Sequence, residues 1–331
     1  MTHLEQDPAF QLVGHTPLVQ LTRLFANNKG IEVFAKLEYC NPSGSVKDRI
    51  VIHILNEAIK IGKLKPGMTV VEASTGNTGA ALAFFCARLG YRLILTTMAK
   101  VSEEKKNHMR MLGAELIVCP TEAHHDSPEH YVARAKQIAH ETPGAFLVNQ
   151  YDNPLNTEAH YLTTGPEIWE QMDGRLDWFV TGGSTGGTVT GAGKYLKEQD
   201  KNIRVLLPDP KGSIYYHLAK TGTMDGVEAT QYQVEGVGED HLTGAMDISV
   251  VDEAMQYTDA DAFGMCRACT RLEGFLPGLS AGGNLAGVQW LIERIPGPQL
   301  VPDQSSGRAG ARIVTLIQDA GVKYLSKLLR D

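Results

Sequence analysis

The chain is short of the features that mark stapled, membrane-spanning or nucleic-acid-binding proteins. Its five cysteines, Cys40, Cys86, Cys119, Cys266 and Cys269, are odd in number and scattered over 331 residues. That is not the paired framework of a small secreted domain. Cys266-Arg267-Ala268-Cys269 has C-x-x-C spacing, but no second pair of ligands follows at the distance a tetrahedral zinc site needs. On a helix read over residues 259–273 the two are packed thiols, and no metal is expected. Long apolar runs are missing too: Arg88 and Arg92 interrupt the best candidate, from Ala80 to Leu95, which excludes a bilayer-spanning helix there. Positive charge is scarce, with 31 Lys and Arg against 38 Asp and Glu, a net charge of -7. That balance argues against nucleic acid or an anionic membrane as partner. The first residues, Met1 to Asp7, lack the basic and apolar regions of a signal peptide, so a cytoplasmic location is expected.

What is present is an ordinary globular composition, 43% hydrophobic and 21% charged, long enough for about two domains and a self-sufficient core. Short apolar strands alternate with helices: strands at 33–39, 68–72, 92–97, 114–119, 145–149, 176–180, 203–207 and 312–317, with helical patterns between them. That alternation predicts parallel α/β sheets. Three loops that lead into helices, the first two of them directly after strands, are rich in glycine and hydroxyl residues. They are Ser74-Thr75-Gly76-Asn77-Thr78-Gly79, Thr181-Gly182-Gly183-Ser184-Thr185-Gly186-Gly187-Thr188 and Pro277-Gly278-Leu279-Ser280-Ala281-Gly282-Gly283. Backbone N–H groups at such helix starts are free to hold an anion. None is a P-loop, because no Gly-Lys-Ser/Thr follows, and none is a G-x-G-x-x-G turn. The stretch Thr121 to Gly144, with His124 and His125, reads as a polar, largely helical surface segment, and Pro296 to Gly310 as an exposed loop.

A fourth junction carries the chemistry. The strand Val33 to Tyr39 meets Asn41-Pro42-Ser43-Gly44-Ser45, whose residues favour a turn, and Ser45 is a candidate N-cap for a helix from Val46 to Lys60. Lys47 then lies in a first helical turn, where the dipole opposes a cation and burial would favour the neutral, nucleophilic amine. Read alone, such a lysine is more simply a solvated surface charge.

Taken together and in order, Asn41 to Arg49, Ser74 to Gly79 and Ser184 to Thr188 resemble the three signatures of the cysteine synthase and cystathionine β-synthase family. The resemblance covers nearly the whole chain. Asp126-Ser127-Pro128-Glu129, His160 to Thr164, Asp209 to Ser213, Glu235-Gly236-Val237-Gly238 and Lys323 to Lys327 bring it closest to the cystathionine β-synthase catalytic core. The resemblance implies pyridoxal 5'-phosphate as cofactor, bound in fold type II, the tryptophan synthase β-like arrangement of two α/β domains with parallel-type twisted sheets. It implies a smaller mobile domain over 41–152, a larger cofactor-binding domain from 1–40 plus 153–331, and a homodimer. Neither heme nor a response to adenosylmethionine is expected.

Roles follow from the same resemblance. Lys47 would form the Schiff base with the cofactor and move the α-proton. Ser184, Thr185, Gly186, Gly187 and Thr188 would hold the phosphate, Asn77 the phenolic oxygen and Ser280 the pyridine nitrogen. Ser74, Thr75, Asn77, Thr78 and Gln150 would bind the substrate carboxylate, largely through backbone N–H groups. The implied reaction is β-replacement on L-serine or an activated serine by a thiol, most simply serine plus homocysteine giving cystathionine. Cysteine synthesis from O-acetylserine and sulfide, or β-elimination as in serine and threonine dehydratases, are the alternatives. Three positions depart from the family: Ser74-Thr75 stands where Thr-Ser is usual, Ser184 where glycine is usual, and Glu239 where cystathionine β-synthases commonly have tyrosine. A carboxylate at 239 either selects a cationic group on the co-substrate or points to solvent.

Overall fold

The computed structural model describes residues 4, 7–26, 30–124, 126–294 and 310–329. The loop read at 296–310 falls almost wholly outside them, as does His125. Two sheets organise the rest. The first has four parallel strands, β3 (Thr69–Ala73), β4 (Arg92–Met98), β5 (Glu115–Cys119) and β6 (Ala145–Leu147), in the order β5-β4-β3-β6. The second has six strands, β1 (Leu18–Gln20), β2 (Glu32–Leu37), β7 (Trp178–Val180), β8 (Arg204–Pro210), β9 (Glu253–Tyr257) and β10 (Arg312–Ile317), in the order β1-β2-β10-β7-β8-β9. All its pairings are parallel except β1 with β2. That antiparallel edge strand and β9 carry no signal in the sequence reading.

The strand sequences suit sheets covered on both faces. Every residue of β3, Thr-Val-Val-Glu-Ala, is buried, and five of the six in β10 are, as expected where helices flank a parallel sheet. Helix Lys47–Lys60 packs Ile50, Val51, Ile54 and Leu55 into the core beside β3 and β4, against Leu82 and Phe85 of helix Asn77–Leu89. Beneath the six strands, helix Leu279–Arg294 turns Leu279, Leu285 and Val288 into a second core with Ile313 and Ile317. Cys266 and Cys269 are buried there as thiols on helix Asp259–Glu273. No helix among the described residues is long and apolar enough to cross a membrane.

The expected cap at Ser45 is corrected. Helix Lys47–Lys60 starts one residue later, Val46 is its N-cap, and no side-chain cap bond forms. Its entry is fixed by the sheet instead: Ser45 pairs with Asp319, and Val46 N donates to Gln318 O at 2.8 Å just beyond β10. Ser45 Oγ still accepts from Lys47 N, at 3.3 Å.

Candidate functional site

A cleft is lined by Lys47, Ser74, Thr75, Asn77, Thr78, Gln150, Ser184, Thr185, Gly186, Thr188 and Ser280. Every site residue read from the sequence is among them except Gly187, which starts the helix behind the phosphate-type loop. Lys47 Nζ has no hydrogen bond or ion pair among the described residues. Burial pushes this amine down to about 8, and the charge of Glu239 offsets part of the fall. A lysine set on the surface would not be shifted this way, so the solvated-charge reading fails.

The turn that presents Lys47 is tied from both sides. Asp48 accepts from Ser43 N and Ser43 Oγ, and Lys323 Nζ donates to the carbonyls of Ser43 and Gly44 at 3.2 and 3.0 Å. Arg49 lies under the turn and bridges Glu38 and Glu167.

Loop 74–79 is braced rather than loose. Ser74 Oγ accepts from Gly76 N and Gly79 N at 3.1 and 2.8 Å, and Thr75, Asn77 and Thr78 of the same loop line the cleft. Gly76 has φ +144°, a conformation other residues avoid, and a side chain there would collide with Lys105. Thr78 Oγ1 donates to Gln150 Oε1 at 2.6 Å, and Gln150 Nε2 donates to Ala73 O at 2.8 Å. Asn77 is oriented from a distant part of the chain: its Nδ2 donates to Asp319 Oδ2 at 2.7 Å and its Oδ1 accepts from Lys323 Nζ at 3.1 Å.

Loop 182–188 is a backbone cradle. Gly186, with φ +83°, is the N-cap of helix Gly187–Gln199 and offers no side-chain cap, so the helix's first N–H groups remain free for an anion. A Cβ on Gly186 would run into the Met246 backbone, and one on Gly187 into Asn156 Oδ1. Asn156 Nδ2 donates to Thr185 Oγ1 at 3.0 Å, and Thr188 Oγ1 meets His160 Nε2 at 3.1 Å. Burial holds the His160 imidazole well below its usual range, so it is neutral. Ser280 lines the cleft, and its hydroxyl has no hydrogen-bond partner among the described residues. A free buried amine, an uncapped helix start lined with hydroxyls and an unpaired hydroxyl opposite are the groups that an aldehyde-bearing, phosphorylated pyridine requires.

Two of the departures meet. Ser184 Oγ donates to Glu239 Oε1 at 2.6 Å, so this hydroxyl faces the carboxylate, and Glu239 is half-buried against a cavity rather than turned to bulk solvent. Lys105, Asp319, Lys323 and His160 also serve the site, and the sequence offered no pattern for their roles, because each acts through a partner far along the chain. Lys105 lines the cleft and pairs with Glu235 at 2.9 Å.

Residues 9–303 match the model of the family described as pyridoxal-phosphate dependent enzyme. Cystathionine β-synthase of Oryctolagus cuniculus is 38% identical over 97% of this chain and 56% of its own length. That of Saccharomyces cerevisiae is 39% identical over 97% of this chain and 62% of its own. The chain therefore spans little more than half the length of these relatives. A crystal structure of an O-ureido-L-serine synthase mutant with O-ureido-L-serine bound superposes with a TM-score of 0.85 and 31% identity, over 97% of this chain and 92% of that one. The family match, the shared fold and the groups gathered around Lys47 agree: the chain belongs to the pyridoxal-phosphate-dependent enzymes of fold type II, in the cystathionine β-synthase and cysteine synthase branch.

Proposed function

We propose that the protein catalyses β-replacement on L-serine or an activated serine by a thiol, with L-serine and L-homocysteine giving cystathionine as the favoured pair. The observation that carries this reading is Lys47: an amine without a partner among the described residues, lowered to about 8, between a loop suited to a carboxylate and a loop suited to a phosphate. The two cystathionine β-synthase relatives support the choice of substrates.

Lys47 would hold pyridoxal phosphate covalently, with Ser184, Thr185, Gly186, Gly187 and Thr188 around its phosphate, Asn77 at its phenolic oxygen and Ser280 at its ring nitrogen. Bound there, the cofactor supplies an electron sink for charge released at Cα. The protein's own groups do the rest. The N–H groups of loop 74–79 and the Gln150 side chain hold the substrate carboxylate and fix the Cα–H bond. Lys47 would be the base that takes the α-proton and later returns it to Cα. Ser280 is a neutral hydroxyl, which would leave a ring nitrogen largely unprotonated and favour loss of a β-leaving group over prolonged charge at Cα. By the family resemblance we also read the protein as a cytoplasmic homodimer, with the part over 41–152 moving to close the cleft.

Mass spectrometry of products from the loaded protein tests the reading, with L-serine plus homocysteine in one mixture and O-acetylserine plus sulfide in another. Cystathionine from the first supports the favoured pair. Cysteine from the second alone would favour the cysteine synthase reading, to which the structural likeness to O-ureido-L-serine synthase lends weight, and pyruvate with thiol present would favour simple elimination. Lys47→Ala should lower turnover by orders of magnitude, and unchanged turnover would refute the assignment.

A further inference from the structure

A second cavity of about 240 Å³ adjoins the cleft and shares Thr75, Tyr151, Ser184 and Gly236 with it. Its wall is acidic: Glu235, Glu239 and Asp240 line it, against Lys100, His130 and His241. Two of the three carboxylates are matched. Glu235 pairs with Lys105 at 2.9 Å and Lys327 at 2.6 Å, and Asp240 with His241 at 2.7 Å. Glu239 is different. Its side-chain hydrogen bond is to a neutral hydroxyl, Ser184 Oγ, and it has no salt bridge among the described residues.

A carboxylate that accepts one hydroxyl donor keeps acceptor positions for others. A half-buried charge without a counter-ion carries a desolvation cost that an arriving cation relieves and an arriving anion worsens. Asp240 and His241 flank it as a matched pair, with the carboxylates of Glu239 and Asp240 and the His241 ring within 4.8 Å of one another. We propose that Glu239, fixed by Ser184, seats an ammonium group of the second substrate, so that the acceptor is a small amino compound and not an inorganic anion such as sulfide. The proposal rests on the β-replacement reading above and names the class of acceptor. Burial raises Glu239 to about 7 in spite of the Ser184 hydrogen bond and the nearby His241 and Lys47, which is the behaviour of a carboxylate short of a cationic partner.

The test compares thiols that carry an ammonium or a hydroxyl group at the same position, with the variants correcting for their different thiol acidity. Loaded protein is given the first substrate and then either 2-aminoethanethiol or 2-mercaptoethanol, and kcat and KM are measured for each acceptor. The native chain should favour the ammonium thiol about 10- to 100-fold in kcat/KM, the range for a hydrogen bond to a charged group, with the difference in KM. In Glu239→Gln, which keeps an acceptor for Ser184, the preference should shrink to about threefold or less, and Glu239→Tyr provides a second neutral variant. Binding of the unreactive pair 2-(methylthio)ethylamine and 2-(methylthio)ethanol, followed by ligand-observed NMR, should show the same ordering and the same loss. Equal treatment of the two thiols by the native chain, or a preference that survives both substitutions, overturns the proposal. Because the NMR arm needs no turnover, a chain that binds the amine through Glu239 but yields no thioether would refute the β-replacement reading and leave Glu239 only as an ammonium-binding group.

Discussion

Arg49 stands two residues after Lys47, and replacing it by methionine should uncouple the catalytic turn from the body of the protein. The guanidinium is 1% exposed and donates four hydrogen bonds of 2.7 to 2.9 Å, two to Glu38 and two to Glu167. Glu38 is fully buried, Glu167 is 12% exposed, and Lys36 also reaches Glu167 at 2.8 Å. The cluster ties helix Lys47–Lys60 to the end of β2 and to helix Gly165–Gln171. Removing the cation leaves Glu38 without its main counter-charge, and breaking a buried pair in this way costs about 3–5 kcal/mol. With an unfolding slope near 3 kcal/mol/M in urea, the midpoint of Arg49→Met should fall by about 1 M or more.

The pH dependence separates this account from a simple packing defect. Burial alone would raise Glu38 and Glu167, but the hydrogen bonds and charge of Arg49 outweigh it, lowering Glu38 and holding Glu167 at about 2. Depressed carboxyls contribute stability that is present above the unfolded value, about 4.3, and lost as pH falls toward the folded value. In the variant, burial of Glu38 is opposed only by the charge of Lys36 and the hydrogen bonds from Thr16 and Asn41, so its pKa rises from the native value and the native state is penalised less as pH falls. The stability gap between native and variant should therefore narrow between pH 7 and pH 5. Urea unfolding of the cofactor-free protein at both pH values, followed by circular dichroism, measures it. A gap under about 1 kcal/mol at pH 7, or one independent of pH, would refute the reasoning.

Other outcomes follow from the same geometry. With Lys47 lowered to about 8 by burial and held there partly by Glu239, the rate at which cofactor-free protein takes up pyridoxal phosphate should rise through pH 8 and level off above it. Glu239→Gln should move that midpoint lower, whereas a midpoint near 10 would contradict the burial of the amine. Gly187→Ala places a Cβ against Asn156 Oδ1, and Asn156 also holds Thr185 and the Gln150 carbonyl. Overpacking of this kind costs about 1–3 kcal/mol, so equilibrium dialysis should show pyridoxal phosphate affinity weakened at least several-fold while circular dichroism stays native; unchanged affinity would remove loop 182–188 from the phosphate role. Cys40 is the exposed thiol, whereas Cys86, Cys266 and Cys269 are buried and pushed up to about 12. A disulfide exchange reagent at pH 8 should titrate one thiol rapidly in the native chain and five after unfolding.

The sequence by itself determined the parts that depend on neighbours along the chain. Alternating apolar positions mark β2, a short apolar run marks β4, glycine and hydroxyl residues mark the junctions after β3 and β7, and Lys47 is visible as a lysine at a helix start, because turn conformation, strand period and free helix-start N–H groups are short-range properties. It also located two unusual residues, Ser184 and Glu239, without showing that they touch. What the tertiary structure decided is every property that depends on pairing across the chain or on exclusion of water. Asn77 is aimed by Asp319 and Lys323 from 242 and 246 residues away, Arg49 is neutralised by Glu167 at a separation of 118, and β1 joins β2 as an antiparallel edge. Ser45, a sound cap by its local sequence, gives up that role because its backbone pairs with Asp319. Lys47 is lowered and Glu239 raised by desolvation, which no residue carries in its own chemistry. It arises only when two sheets and the loops at their strand ends close over the same cleft.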